Sequence, residues 1–206
     1  MGEVLWLGVL LGCGAALSVG PIFVTILQEA ATRGFGASLR VILGSATADL
    51  ILLLPALAFA WLITAVASAN QWVGLIGAVA FVVMAGQALR DSRRLWRHGE
   101  PEPDAGWAFV KGVLGNLANP LTWTFWLATG TPAMVRAQGA GGWLGLVLFT
   151  VIWFVVASGL EAVIALAVAR SGRRVGHRGQ AVFTAISAVL FLGLAGLLLA
   201  KDVAVG

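Results

Sequence analysis

Five long stretches of this chain carry almost no charge: residues 4–28, 41–89, 109–135, 137–169 and 181–200. No other feature limits the fold as severely. A helix needs about 20 apolar residues to cross the hydrocarbon core of a bilayer, so 41–89 holds two crossings. Six spans follow, at about 4–31, 38–64, 71–90, 109–132, 143–169 and 181–200. Only 11% of residues are charged, against roughly 25% in soluble domains. The expected fold is an all-α integral membrane protein, one transport domain over 1–206 with no separate water-soluble domain.

The basic surplus falls on one side of this scheme. Arg33 and Arg40, then Arg90, Arg93, Arg94, Arg97 and Lys111, then Arg170, Arg173, Arg174 and Arg178 all belong to loops of one face. The other face holds only Arg136 and Lys201. This is the positive-inside pattern of a membrane protein rather than a nucleic-acid patch. It places both termini outside the cytoplasm. Trp6, Trp61, Trp72 and Trp143 near outer span ends, with Trp96 and Trp107 near inner ones, read as interfacial belts. Cys13 is the sole cysteine, so no internal disulfide exists, and it reads as a small packing residue. The glycines at 8, 12 and 14, and those of "GQALR" and "GLAGL", also read as close helix-packing positions.

Proline interrupts two of the apolar runs, in "SVGPIFVTIL" (18–27) and "LANPLTWTFW" (117–126). Inside a helix proline removes a donor and clashes with an earlier carbonyl, and lipid offers that carbonyl no substitute. The two segments align at Pro21 and Pro120, which pairs Gly20 with Asn119 and Thr25 with Thr124. The polar stretch 90–106 separates the halves and reads as a solvated linker, about 91–108, between repeat 1 (about 1–90) and repeat 2 (about 109–206). Three spans per half force the second half to enter the membrane from the opposite side. Two inverted three-helix repeats result, with helices 1 and 4 broken, the layout of many secondary transporters. At ~1.5 Å per residue, Pro21 lies roughly 18 Å from Arg33 and Pro120 roughly 13 Å from Lys111. Both breaks are thus expected near the midplane, where exposed backbone can bind a solute.

Two acids lie inside spans. Asp49 is roughly 13 Å along its helix from Arg40, and Glu161 roughly 13 Å from Arg170. Such acids are expensive in lipid and face a cavity or a partner; both are proton-coupling candidates, and a structural acid bonded to a neighbouring helix is the alternative. Asn116 and Asn119 flank the second break and either bind a polar solute or cap a half-helix. Thr25, Thr122 and Thr124 either face the cavity or back-bond to their own helix. Trp123 and Trp126 either wall the cavity or meet lipid, and Gln87 reads as interfacial. Both histidines fall in loops, and no HExxH, Walker A or Rossmann pattern occurs, which argues against a membrane protease or an ATPase. Soft-metal transport would call for several Cys, Met or His in the spans.

The stretches "SVGPIFVTILQEAATRGFGASLRVILGSATADLILL", "IGAVAFVVMAGQALR" and "KGVLGNLANPLTWTFWLA" resemble the LysE/RhtB amino-acid exporters over nearly the whole chain. The resemblance implies proton-driven export of an amino acid or similar small metabolite across the inner membrane. Many members carry Asn or Gln just after Gly-Pro; Ile22 and Phe23 stand here, which leaves room for a more apolar substrate. The expected binding set is Gly20, Pro21, Thr25, Asn116, Asn119, Pro120 and Thr124, with Asp49 and Glu161 coupling protons. No catalytic residue, metal or cofactor is expected. Expected partners are the small-molecule substrate, protons, membrane lipids and a second copy of the chain as a homodimer, with no nucleic acid. A metal or other cation exporter and a non-transporting membrane assembly protein are the alternatives.

Overall fold

Helix α1 (Gly2–Ala16) ends where Gly20 takes an extended backbone (φ −141°) and Pro21 opens α2 (Pro21–Arg33). Proline suits a first helical position, where its missing N–H would have had no helical partner. The two helices meet at 67°. The computed structural model describes residues 2–18, 20–58, 70–99 and 106–205. Gly34, at φ 86°, makes the sharp turn into α3 (Phe35–Ala58), a left-handed conformation that glycine adopts without penalty. Helix α4 (Asn70–His98) follows.

The second break has the same parts in a tighter form. Helix α5 (Trp107–Leu117) stops, Pro120 opens the short α6 (Pro120–Phe125), and a π-helical turn (Trp126–Gly130) continues it. The exposed carbonyls are repaired locally. Asn119 N–H donates to Asn116 O at 3.1 Å, and Trp123 Nε1 donates to Leu117 O at 2.7 Å. Trp123, half-buried, therefore caps the broken helix. The remaining helical stretch, Thr131–Val205, bends at Gly141, Gly142 and Gly176. These bends divide it into α7 (131–140), α8 (143–175) and α9 (177–205).

No strand occurs among the described residues. Two stretches, Phe35–Leu53 and Thr131–Ser171, are long and apolar enough to cross a membrane, and the bent α1–α2 pair makes a third if its two helices are counted as one span. The spans expected at 4–31 and 143–169 coincide with these; the far end of 38–64 lies outside the described residues. Helix α8 has the surface expected of a lipid-facing helix. Its inner face buries Leu146, Phe149, Trp153 and Ala157, while its outer face exposes Val147, Val151, Val155 and Val163. A helix apolar all round belongs in a bilayer. Trp6, Trp96, Trp107 and Trp143 are all largely exposed, as an interfacial belt requires; Trp61 and the side chain of Trp72 lie outside the described residues.

Small residues set the helix crossings. A Cβ on Gly44 would strike the backbone carbonyl of Phe109, and one on Gly112 that of Val41, so α3 and α5 touch backbone to backbone. Gly8 and Gly12 let α1 sit close to Ile152, Trp153 and Val156 of α8. Such contacts replace the hydrophobic effect, which does not drive helices together in lipid. The packing expectation fails at Gly14, Gly86, Gly193 and Gly196, where a Cβ would meet nothing within 4 Å. Sequence marks a glycine as small but does not show which way it faces.

The linker is shorter than expected. Residues 90–98 continue α4, because Asp91 and Leu95 are buried there at 2% and 0% exposure. Ser92 Oγ donates to Ala181 O on α9 at 2.8 Å, and the Arg178 guanidinium lies over the Trp96 ring. Asp91 and Leu95, four residues apart, share one helix face, while the sheer number of charges suggested a loop.

Candidate functional site

The two helix breaks and the close α3–α5 crossing converge on one cavity of about 150 Å³. Helix α2 contributes its opening residues Gly20, Ile22 and Phe23, and the end of α1 contributes Gly14, Ala15 and Ser18. Ser45, Ala46 and Asp49 come from α3; Asn116, Asn119, Thr122 and Phe125 come from the second break. Helix α8 supplies Trp153, Phe154, Ala157, Ser158 and Glu161. No lysine or arginine is present among these lining residues. The lining combines aromatic rings, two carboxyls, amides, hydroxyls and backbone.

Neighbouring groups hold the polar side chains in place. Trp126 is buried at 2% exposure and donates Nε1–H to Asp49 Oδ1 at 2.9 Å. Its indole lies over Gly130, where a Cβ would come within 2.6 Å of the ring. The π turn and the missing side chain thus aim the donor. π-helical turns of this kind often mark functional sites. Asn116 donates Nδ2–H to Ser45 O at 2.9 Å and accepts from Thr122 Oγ1 at 2.5 Å. That first bond depends on the Gly44–Gly112 contact one turn away. Asn116 acts as a bridge between helices as well as a wall of the cavity.

The expected residues divide as follows. Gly20, Asp49, Asn116, Asn119 and Glu161 line the cavity together. Pro21 is buried beside it, starting α2. Thr25 is 2% exposed and donates to Pro21 O at 2.7 Å, so it back-bonds to its own helix instead of facing the cavity. Pro120 starts α6; its side chain and that of Thr124 lie outside the described residues. Gln87 is half-buried, and its Oε1 has no hydrogen-bond partner among the described residues. Among the described residues no three His, Cys, Asp or Glu side chains gather closely enough to hold a metal ion.

Sequence reading missed a second polar cluster. Glu29, 1% exposed, accepts from Lys111 Nζ at 2.7 Å and from Arg33 Nη1 at 3.0 Å. Arg33 Nη2 also donates to Asp91 Oδ2 at 2.7 Å. The cluster joins α2, α4 and α5 and lies roughly 13 Å along α2 from Gly20, at ~1.5 Å per residue. The i, i+4 spacing of Glu29 and Arg33 was a visible signal; the recruitment of Lys111 and Asp91 was not. Ile26, one turn along α2 from the cavity residue Ile22, packs with Val41, Ile42 and Ala165 in one apolar cluster.

Neither the curated proteins nor the solved structures offer a match to the chain. A family model, described as LysE type translocator, matches residues 14–202. That stretch contains both breaks, both intramembrane acids and every residue of the cavity wall. With nearly its whole length matched, the chain belongs to the LysE type translocators, a family of membrane exporters.

Proposed function

We propose that the protein is a secondary active exporter. It moves an amino acid, or a small amino-acid-like metabolite, out across the bacterial inner membrane in exchange for protons. The proposal includes six spans in two inverted three-helix repeats, 1–90 and 109–206, joined on the cytoplasmic side, with both termini periplasmic. One observation carries it: two carboxyls, two amides and the start of α2 share one cavity where both broken helices meet. The first turn of α2 offers unpaired backbone N–H groups at the positive end of a helix dipole, which suits a carboxylate. Asp49 and Glu161 suit an ammonium group, and a carboxyl that is emptied of substrate can take a proton in its place.

In this reading the cytoplasmic route is shut. The apolar cluster around Ile26 and Val41 forms one seal, and the Glu29–Arg33–Asp91–Lys111 cluster forms a second. Rocking one repeat against the other would part these charges and open the cavity inward, as alternating access requires. The test is efflux from proteoliposomes loaded in turn with each of the twenty standard amino acids. At least one should leave faster when the outer medium is acidified. No acid-stimulated efflux of any of them would overturn the reading.

A further inference from the structure

A crevice of about 340 Å³, more than twice the central cavity, lies between α2, α8 and α9. Three of its lining residues are small, Ala31 on α2, Ala167 on α8 and Gly179 on α9, and they leave a gap that Leu27 and Phe183 border. No acidic or basic side chain is present among the described lining residues, and none of them lines the central cavity. Leu27 and Ala31 are four apart and share one face of α2. Glu29, between them in sequence, turns instead to Lys111 on α5. The crevice is therefore separate from both the cavity and the ion cluster.

Its place along the helices points to its occupant. Helices α8 and α9 join at the Gly176 bend, so Ser171 and Gly179 lie nearest that bend, with Ala167 and Phe183 one turn farther away. Ala167 and Ser171 are exposed, so the crevice opens on the outer surface. Arg170 adjoins Ser171 in the chain, and Arg178 adjoins Gly179. Both arginines are exposed, and neither forms an ion pair among the described residues. The Arg178 guanidinium lies 5.9 Å from the centre of the Trp96 ring, which is itself 57% exposed, as befits a tryptophan at the bilayer interface. An apolar slot with unpaired cations at its interfacial end matches the two parts of an anionic phospholipid, chain and headgroup. A free phosphate would leave the slot empty, and a zwitterionic lipid would leave the arginines without a net counter-charge.

We propose that this crevice binds an anionic phospholipid, with one acyl chain between α2, α8 and α9 and the phosphate on Arg170 and Arg178. The site rests on the exporter reading above only for its leaflet, which is the cytoplasmic one in that orientation. A chain seated against Leu27 and Ala31 braces α2 from the side opposite Glu29, so the lipid supports the helix that carries the ion cluster.

The test is native mass spectrometry of the full chain purified in detergent, titrated with dioleoyl phosphatidylglycerol and, separately, with dioleoyl phosphatidylcholine. Wild type should bind phosphatidylglycerol more tightly. Arg170→Gln should weaken that lipid about fivefold, the contribution of one basic side chain at an anionic surface, and leave phosphatidylcholine unchanged. Ala167→Trp fills the crevice and should remove the tightest site for phosphatidylglycerol. Ala31→Leu fills the same space from α2 and replaces it if the tryptophan variant folds poorly. Val155→Trp, which puts the same ring on the exposed face of α8 away from the crevice, should change nothing. Equal affinity of wild type for the two lipids overturns the proposal. So does either effect without the other, since an arginine effect alone means a headgroup on a basic surface, and a crevice effect alone means an apolar site blind to charge. Loss of a dimer, rather than of lipid, on filling the crevice would assign it to a second copy of the chain. None of these outcomes touches the exporter reading, which stands or falls on acid-stimulated efflux.

Discussion

Asp49 shows what one side chain decides at this site. Its Oδ1 accepts from Trp126, and asparagine would offer an acceptor of the same shape in the same place. Asp49→Asn is therefore expected to fold normally and to lose the one property an amide lacks, a proton to exchange. Gradient-driven efflux should fall to the leak rate, while substrate exchange at equal pH persists. Proteoliposome efflux with and without an imposed pH gradient checks this, and normal pumping by the variant would transfer proton coupling to Glu161. The acid itself was legible in the sequence, because a lone carboxyl within an apolar span stands out whatever surrounds it. Its partner was not, since Trp126 lies on another helix 77 residues away. Thr25 illustrates the opposite error. Residue type suggested a ligand, but the hydroxyl bonds the carbonyl of Pro21 on its own helix.

At the level of elements, the crossing of α3 and α5 is set by two missing side chains. Gly112→Val would drive a branched group into the Val41 carbonyl and the Ser45 amide. The helices would have to separate, and Asn116 would lose its reach to Ser45 O. The expected cost is about 1–3 kcal/mol of stability, the usual range for overpacking, seen as a lower unfolding temperature in detergent. Gly86→Ala is the control. A Cβ there meets nothing within 4 Å, so stability should hold or rise with the better helix former. An equal loss in both variants would remove the close crossing as the cause. The breaks in the two spans were readable without any structure, because proline lacks an N–H wherever it stands. How each break is repaired was not readable. Trp123 caps Leu117 only because the turn at Asn119 brings its indole back over the end of α5.

Across the whole molecule, the buried ion cluster ties α2, α4 and α5 together at one end of the fold. In the exporter reading it holds the cytoplasmic side closed, and Glu29→Gln should weaken that state by leaving Lys111 and Arg33 short of a counter-charge. A cysteine at Ala46 in the cavity wall, in a chain with Cys13→Ser, should then react severalfold faster with a thiol reagent added from the cytoplasmic face. Asp91→Asn should shift the rate in the same direction. Unchanged labelling in both variants would make the cluster a static brace. The sequence by itself determined the membrane environment, the two helix breaks and the presence of two intramembrane acids. Each follows from composition or covalent structure within a short window. The tertiary structure decided which of these meet. Spacing along a helix shows which residues share a face but not how that helix is rotated against its neighbours. The pairing of Asp49 with Trp126, of Asn116 with Ser45 and of Glu29 with Lys111 therefore had to wait for the packing.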